Sequence, residues 1–166
     1  MASVDYIVVG GGSTGCVLAG RLTENPDCSV ALLEEGPRDR SPWIHIPGAY
    51  YKTAQGNLLK RMPWEPGPGQ GRSDQPTMVQ ASVLGGGSSV NAMIYIRGNP
   101  TDYEAWQAQG AEGWGYADVL PYFIRAEDNQ KLVNAYHGTG GPLGVSYPVN
   151  PIPISYAFLK AAQQMG

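Results

Sequence analysis

A glycine pattern near the N-terminus constrains the fold of this chain more than any other feature. Residues 4–9 are suited to a buried strand, Gly10-x-Gly12-x-x-Gly15 follows at once, and residues 16–22 have the apolar spacing of a helix. In such a unit the first glycine allows a tight turn, the second lets the backbone approach a pyrophosphate, and the third lets the helix pack on the strand. The pattern predicts a dinucleotide-binding unit whose helix N-terminus offers N–H groups to phosphates.

Two carboxylates follow the second predicted strand, residues 29–33. Glu34 falls about 20 positions past the glycines, where a carboxylate would accept the ribose hydroxyls. Glu35 is also at the strand end, and a solvated charge in a turn is the alternative for either residue. We predict that Glu34 binds the ribose, because it directly follows the apolar run and its neighbour would point to the opposite side.

The composition fits one domain with long irregular connections. Glycine and proline contribute 23 and 14 of the 166 residues, about twice their average combined share of roughly 12%. That length can bury a substantial core. The net charge of −3 and a pI near 5.3 leave no large basic surface, so nucleic acid is not an expected partner.

Neither a disulfide framework nor a metal site is predicted, because Cys16 and Cys28 are the only cysteines. The first predicted strand begins by residue 4, and the charged region and apolar region of a signal peptide do not precede it. No apolar run approaches the ~18 residues needed to cross a bilayer. We therefore expect no membrane association and a cytoplasmic location.

Residues 37–82 contain seven prolines and no sustained periodicity. A structureless connection in a compact domain rarely exceeds ~12–15 residues, so this length indicates function. Either the segment covers a bound cofactor and substrate as a lid, or it is a meander with packing partners elsewhere, and the sequence does not choose. Its aromatic side chains are predicted to be apolar plugs that pin the segment onto the core; they are Trp43, Tyr50, Tyr51 and Trp64.

A second glycine-rich segment covers residues 83–98, where three glycines and two serines precede an apolar run expected to be helical or strand-like. Successive glycines suit a place where the backbone passes close to a flat ligand. Ser88, Ser89 and Asn91 could then hydrogen-bond to that ligand. A plain junction between a loop and a helix, with serine caps, is an equally good interpretation.

Two helices are predicted directly after this segment. Thr101 and Glu104 form a capping box that opens a short helix through Trp106, and Gly110 ends it. A second helix is predicted over residues 116–126. Its buried side would consist of Val119, Leu120, Phe123 and Ile124.

A strand over residues 143–147 and a helix over 156–165, capped by Ser155, complete the predicted elements. The chain has no internal repeats. We divide it into a βαβ dinucleotide unit, a long loop or lid, a second ligand-contact segment, and a set of helices that begins a link to another domain. The corresponding ranges are 1–36, 37–82, 83–110 and 111–166.

Several motifs together resemble one known family, the glucose-methanol-choline (GMC) oxidoreductases. They are the glycines at 10–15, "ALLEEGP" at 31–37 and "LGGGSSVNAMIYIRGNPTDYEAW" at 84–106. The segment 116–129 and "YHGTGGPL" at 136–143 are similar to the same family. The resemblance extends along nearly the whole chain.

This resemblance implies an α/β, Rossmann-like FAD-binding domain that is incomplete without a C-terminal part and its substrate domain. The implied enzyme oxidises a primary or secondary alcohol by hydride transfer to flavin N5, as choline and other alcohol dehydrogenases and oxidases do. Gly12, Ser13, Thr14 and Gly15 would meet the pyrophosphate beside the Gly10 turn, and Glu34 the adenosine ribose. The residues implied around the remainder of FAD, mostly through backbone groups, are Val83, Gly86, Ser88, Asn91, Ala92 and Met93.

The chain departs from the family pattern at two positions. Ser82 stands where the family usually has Arg or Lys, so a charge that normally supports the second glycine segment is absent. Val90 stands where some relatives have a histidine that bonds covalently to flavin. Because a valine side chain has no nucleophile, we expect FAD to be bound noncovalently.

No catalytic residue is assigned. The resemblance implies a histidine base, helped by a second histidine or an asparagine, near the C-terminal end of a much longer polypeptide. His45 and His137 match neither position, and loop histidines more often have structural roles, despite a suitable pKa.

An open parallel sheet also needs later strands and both faces covered. We therefore expect the remainder of the same enzyme as a partner, in the form of a separate C-terminal chain.

Two alternatives to an alcohol oxidoreductase are open. Hydroxynitrile lyases that resemble this family keep FAD without net redox chemistry, and flavin bleaching by an alcohol would separate the two activities. A noncatalytic nucleotide-binding module would hold cofactor without turnover. A plain NAD dehydrogenase is disfavoured, because the glycine and serine segment at 84–98 would have no role in it. Neither the alcohol nor the choice between oxidase and dehydrogenase follows from the sequence.

Overall fold

The computed structural model describes residues 3–64 and 77–165. The chain divides into two compact units, the first ending at Ile94 and the second beginning at Tyr95. This division falls inside the predicted segment 83–110, and the four-part division of the chain stays a prediction.

The first unit begins with the predicted βαβ arrangement. Strand β1 (Tyr6–Val9) leads through the glycine loop into helix α1 (Ser13–Leu22), which returns the chain to strand β2 (Val30–Leu33). The strands are parallel, with a register that runs from Tyr6 opposite Val30 to Val9 opposite Leu33. Apolar residues favour these strands, three of the four in β1 being β-branched, and the intervening helix makes the parallel pairing possible. The predicted α/β, Rossmann-like fold is confirmed.

Close packing of α1 against the glycine loop depends on Gly15. A Cβ atom at this position would collide with the carbonyl oxygen of Gly10 and lie 3.3 Å from the Val8 side chain. Gly15 is accordingly buried, the only buried residue of α1. The third glycine of the motif therefore has the packing role that the sequence predicts.

The segment at 37–82 is more regular than its prolines suggest. Antiparallel strands β3 and β4 pair from Leu59 opposite Ala81 to Pro63 opposite Thr77, and residues 65–76 between them lie outside the described residues. The expectation of a long irregular connection is therefore wrong for its described parts, and a role as a lid stays a prediction. The elements are α2 (Pro42–His45), a 3₁₀ turn (Pro47–Ala49), α3 (Tyr50–Thr53), β3 (Leu59–Pro63) and β4 (Thr77–Ala81).

The aromatic side chains of this segment do not pin it to a core. Trp43, Tyr50, Tyr51 and Trp64 are all between 43% and 51% exposed, so the prediction of apolar plugs is wrong. Two of the rings instead contact a cation, because the Lys52 ammonium lies 5.4 Å from the Trp43 ring and 5.7 Å from the Tyr51 ring. Helices of a single turn present too little surface to bury such large rings.

The second glycine segment forms a 3₁₀ turn at Gly86–Ser89, and residues 92–99 after it form neither helix nor strand. The expected helical or strand-like run is therefore wrong. The Asn91 side-chain oxygen accepts a hydrogen bond from the Met93 N–H at 2.8 Å, and Met93 has a φ of 56°. This local turn competes with regular structure, and Ile94 and Ile96 are left exposed.

In the second unit, helix α4 (Pro100–Ala108) begins two residues earlier than a cap at Thr101 would allow. The Asn99 side chain accepts a hydrogen bond from the Thr101 N–H, and Asp102 accepts one from the Asn99 N–H. The capping box predicted at Thr101 and Glu104 is therefore wrong, because Pro100 takes the first helical position and moves the cap to Asn99. Glu104 instead accepts a hydrogen bond from the Tyr116 N–H at 3.0 Å.

Helix α5 (Tyr116–Ala126) has the predicted bounds. The four side chains predicted to face inward are half-buried, while most of the other side chains of the helix are exposed. The Phe123 ring packs edge-on against the buried Tyr103 ring of α4, with centroids 5.8 Å apart. The amphipathic pattern of α5 therefore correctly predicts the helix and its inner face.

The last elements differ from prediction at their ends. Strand β5 (Glu127–Asn129) pairs in parallel with β6 (Leu143–Val145), which is two residues shorter than predicted. Helix α6 (Pro153–Met165) begins before Ser155, whose N–H donates to the Ile152 carbonyl instead of Ser155 capping the helix. Within residues 3–64 and 77–165, no helix is both long and apolar enough to cross a membrane.

Candidate functional site

A cleft of about 1210 Å³ lies in the first unit at the carboxyl ends of β1 and β2. Its lining comes from the ends of β1 and β2, the first glycine loop, the start of α1, the β3–β4 pair and the second glycine turn. In parallel α/β sheets, ligands bind outside the carboxyl ends of the strands. The cleft therefore lies where the sequence predicts a dinucleotide.

Most of the predicted cofactor residues line this cleft. They are Gly10, Gly12, Ser13, Thr14, Gly15, Glu34 and Gly86. Ser88 is next to the lining, through its contact with Ser13. Val83 is fully buried and does not line the cleft, and Asn91, Ala92 and Met93 follow the second glycine turn without lining it.

The two glycine segments contact each other through their backbones, although they are more than seventy residues apart. The Gly85 N–H donates to the Gly11 carbonyl oxygen at 2.7 Å. A Cβ atom on Gly86, which has a φ of +54°, would lie 2.6 Å from the Gly12 Cα atom. Only glycine permits both this conformation and this approach. The segments that the sequence singled out separately therefore build one site.

A side-chain contact joins the same two segments. The hydroxyl oxygens of Ser13 and Ser88 lie 2.6 Å apart, and both side chains are exposed. Either hydroxyl can donate, so the pair keeps a free donor and free lone pairs. A phosphate oxygen at this point could accept hydrogen bonds from both segments.

Glu34 holds the first glycine loop in place. One carboxylate oxygen accepts a hydrogen bond from the Gly11 N–H and the other accepts one from the Gly36 N–H, both at 2.7 Å. A carboxylate has about four lone-pair positions, so two are available for ribose hydroxyls. Glu34 therefore has a structural role that the sequence did not predict, and its role as a ribose ligand stays a prediction.

The N-terminus of α1 is suited to an anion. Its N-cap is Gly12, which provides no side-chain cap, and the first turn contains no acidic residue. The first N–H groups of a helix lack partners inside the helix, and the helix dipole makes this end positive. These properties fit a pyrophosphate, as the sequence predicts.

Five residues of the β3–β4 pair line the cleft although the sequence did not predict them: Lys60, Met62, Val79, Gln80 and Ala81. The Lys60 ammonium forms an ion pair with Glu35, the carboxylate that the sequence offered as an alternative ribose ligand. Alternation along strand β3 places Lys60 and Met62 on one face of the pair. Only the strand pairing, which the sequence did not reveal, brings this face to the cleft.

A buried polar cluster occupies the second unit, around the fully buried Glu127 carboxylate. Arg97 donates to Glu127 at 2.5 Å, and the carboxylate is also bonded by the Asn129 amide at 2.9 Å, the His137 ring at 3.0 Å and the Gly138 N–H at 3.2 Å. Burial alone would raise the pKa of Glu127. The hydrogen bonds from Asn129, His137 and Gly138, together with the charge of Arg97, outweigh burial and lower that pKa below its ordinary value of 4.5.

Both histidines have local partners. His137 contacts Glu127 within this cluster, and the His45 ring nitrogen Nε2 lies 2.5 Å from the Asp39 carbonyl oxygen. These contacts agree with the structural roles that the sequence favours. Among the described residues, no group of three or more His, Cys, Asp or Glu side chains is arranged to hold a metal ion.

Comparison with known proteins extends these observations. The family model for GMC oxidoreductases matches residues 4–166. The chain is 44% identical to the mitochondrial choline dehydrogenase of Homo sapiens, over 97% of this chain and 28% of that protein. It is 42% identical to an alcohol dehydrogenase [acceptor] of Pseudomonas putida, over 96% of this chain and 29% of that protein.

Solved structures have the same fold. Pyridoxine 4-oxidase from Mesorbium loti superimposes with a TM-score of 0.84 at 33% identity, over 99% of this chain and 32% of that chain. An FAD-dependent oxidoreductase from Chaetomium thermophilum superimposes with a TM-score of 0.76, also at 33% identity, over 99% and 30% of the two chains. The present chain thus spans less than a third of the length of each of these four proteins.

Proposed function

Because the chain belongs to the GMC oxidoreductase family, we propose that it is the FAD-binding part of an enzyme that oxidises the CH–OH group of an alcohol. One observation above all supports this proposal: the two glycine segments meet, through Gly85 and Gly11, beside a cleft large enough for a dinucleotide. A simple NAD-binding βαβ unit gives no reason for the second segment. The names of the relatives, choline dehydrogenase and alcohol dehydrogenase, support an alcohol as the substrate.

In this proposal the pyrophosphate of FAD lies at the N-terminus of α1. Gly12, Ser13, Thr14 and Gly15 bind it, with Gly10 in the preceding turn, and Glu34 accepts the ribose hydroxyls. The fit rests on the uncapped helix end and on the close approach of Gly86 to Gly12, which leaves the cleft free of side chains at that point. When bound, FAD supplies a hydride acceptor at its N5 atom.

The remaining predicted contacts follow the second glycine segment. Val83, Gly86, Ser88, Asn91, Ala92 and Met93 surround the rest of the cofactor in this proposal, chiefly through backbone groups. The Met93 backbone conformation, fixed by the Asn91 side chain, supports a defined course of the chain beside the flavin. Strained backbone that is held by neighbours is common at functional sites.

We further propose that FAD is bound without a covalent link. Val90 occupies the position at which some family members attach flavin to a histidine, and its side chain has no nucleophile. Acid precipitation tests this directly, because noncovalent FAD leaves the protein and covalent flavin stays in the pellet. Yellow precipitated protein would contradict the proposal.

The rest of a GMC enzyme is the proposed partner. Apolar side chains of the β1–β2 pair and of α6 are exposed, with Val9 82% and Phe158 72% accessible. A parallel sheet is stable when both its faces are covered, and exposed apolar patches of this kind mark contact surfaces. The partner was predicted to be a separate C-terminal chain.

The predicted cytoplasmic location also stays a prediction, since the human relative is named as mitochondrial.

A single preparation tests the activity and the partner together. Native mass spectrometry of the purified particle, followed by denaturation, weighs each polypeptide and the released small molecule. Anaerobic addition of choline or a simple primary alcohol should then bleach the flavin absorbance, while buffer alone leaves it unchanged. Flavin that no alcohol bleaches in the complete particle would contradict an alcohol oxidoreductase. Within residues 3–64 and 77–165, no feature favours the lyase alternative.

A further inference from the structure

We propose that Ser89 is a positioning residue of the cofactor site, because its hydroxyl orients the peptide unit that bonds the second glycine segment to the first. This inference rests on the proposed FAD site and adds to it the side chain that holds the two segments in place. The Ser89 hydroxyl donates a hydrogen bond to the Leu84 carbonyl oxygen at 2.7 Å. The side chain therefore reaches back across the whole 3₁₀ turn at Gly86–Ser89.

The carbonyl that Ser89 holds belongs to the peptide unit between Leu84 and Gly85. The N–H of this same unit, on Gly85, donates to the Gly11 carbonyl oxygen at 2.7 Å. A trans peptide unit is planar, so its C=O and its N–H point in opposite directions and can only rotate together. A hydrogen bond that fixes the carbonyl therefore also directs the N–H at the first glycine loop.

The backbone at Gly85 needs such a restraint. Gly85 has a φ of 88°, which is a conformation open chiefly to glycine, and a glycine backbone has more freedom to lose than any other. The 3₁₀ turn has no side-chain cap at this residue. A Cβ atom on Gly85 would lie 2.2 Å from the Ser89 hydroxyl oxygen, so a side chain at residue 85 would displace the hydroxyl. The restraint on this peptide unit therefore comes from Ser89.

The two adjacent serines of the turn have different roles in this proposal. The exposed Ser88 hydroxyl lies 2.6 Å from the Ser13 hydroxyl oxygen, where a phosphate oxygen could accept hydrogen bonds. Ser89 is half-buried, and it donates its hydroxyl proton to the backbone instead of to a ligand. Ser89 thus acts through the turn that carries Gly86 and Ser88. Loss of its hydroxyl should weaken FAD binding although no ligand contact is removed.

Two measurements on the purified chain, freed of flavin, test this role. Amide hydrogen exchange followed by NMR should show that the Gly85 N–H exchanges about ten-fold faster in Ser89→Ala than in wild type. Quenching of flavin fluorescence should show that the same variant binds FAD about ten-fold more weakly. Ser89→Thr retains a hydroxyl on the Cβ atom and should restore both values.

A third variant, Ser89→Cys, has a thiol that is only a weak donor. It should show both losses, and it decides the question if Ser89→Ala does not fold. Ser41→Ala is the matched control, because Ser41 is half-buried in the same unit, provides no side-chain cap to α2 and does not line the cleft. This control should leave both values unchanged.

Unaltered Gly85 exchange or unaltered FAD affinity in Ser89→Ala would overturn the inference, while FAD uptake by the wild type would leave the proposed cofactor site intact. Losses in Ser89→Thr as large as those in Ser89→Ala would also overturn it, because the hydroxyl would then not be the cause. Folded wild-type protein that binds no FAD would overturn both the cofactor site and this inference.

Discussion

Gly86 approaches Gly12 so closely that a Cβ atom on Gly86 would lie 2.6 Å from the Gly12 Cα atom. One glycine comes from the turn that follows β4 and the other from the loop that follows β1. The contact is between backbones, so no side chain can yield to make room. The two loops can therefore keep this contact, on which the proposed cofactor site depends, only while Gly86 stays a glycine.

Replacement of Gly86 by alanine should destabilise the protein by about 2 kcal/mol or more. An alanine at positive φ costs about 1–2 kcal/mol, and the new methyl group must also displace the Gly12 backbone. Gly20→Ala is the matched change, because Gly20 lies inside α1 with open space around it. Urea unfolding should show that Gly20→Ala stabilises by about 1 kcal/mol. Equal effects of the two substitutions would contradict the close contact of the loops.

Glu34→Gln should lower both stability and ribonucleotide affinity. Each Glu34 oxygen accepts a backbone N–H, so an amide NH₂ group in place of one oxygen would face a donor and leave it unpaired. The expected cost is about 1–3 kcal/mol in unfolding free energy. Glu35→Gln, one residue away, removes only an exposed ion pair and should cost less than about 1 kcal/mol. A larger effect at Glu35 than at Glu34 would reverse the roles assigned to the two carboxylates.

Glu127→Gln should destabilise the protein in a manner that depends on pH. The substitution leaves the nearly buried Arg97 without its carboxylate, at an expected cost of about 3 kcal/mol near neutral pH. The folded-state pKa of Glu127 is below its ordinary value of 4.5, so the ionised carboxylate stabilises the fold fully above that value. Its contribution is lost as pH falls below 4.5 and through the folded-state pKa.

Urea unfolding of both proteins between pH 7 and pH 3 measures this difference. The gap between wild type and Glu127→Gln should be widest above about pH 5 and should narrow towards acid. Glu112→Gln serves as control, because Glu112 is exposed and should show a small difference at every pH. A gap for Glu127→Gln that widens as pH falls would contradict the assigned network.

Asn99→Ala should cost about 1 kcal/mol in unfolding free energy, because Asn99 caps helix α4. Thr101→Ala should change it by only a few tenths of a kcal/mol, because the lost bond from the Thr101 hydroxyl to the Asn99 side chain is exposed and alanine has the higher helix propensity. Thermal unfolding of the two variants compares the observed cap with the one suggested by sequence. A larger loss for Thr101→Ala would restore the capping box at Thr101 and Glu104.

Local patterns predicted those elements whose cause is local. Helix α5 has the predicted bounds because its apolar residues recur with helical spacing, and the βαβ unit follows from the glycines and from two short apolar strands. Strand β3, with the sequence LKRMP, has no clear alternation of apolar and polar residues and ends in a proline. Its pairing with β4 depends on a partner fourteen residues further along the chain, and sequence periodicity does not report such a partner.

In the candidate site too, residues in local motifs were predicted and residues that depend on tertiary structure were not. The glycine motif and the acid at the end of β2 predicted Gly10, Gly12, Gly15 and Glu34, all of which line the cleft. The hydrogen bond from the Gly11 N–H to the Glu34 carboxylate was not predictable, because it depends on how the first glycine loop bends back towards the end of β2. Lys60 and Gln80 were missed for the same reason as their strands, since only tertiary structure brings them to the cleft.

Equilibrium binding of FAD tests the central claim most directly, namely that the two glycine segments together form the cofactor site. Quenching of flavin fluorescence should show one FAD bound per chain, with the same affinity in Gly20→Ala and an affinity at least about ten-fold lower in Gly86→Ala. Folded wild-type protein that takes up no FAD, or a folded Gly86→Ala variant that binds FAD as tightly as wild type, would contradict the account.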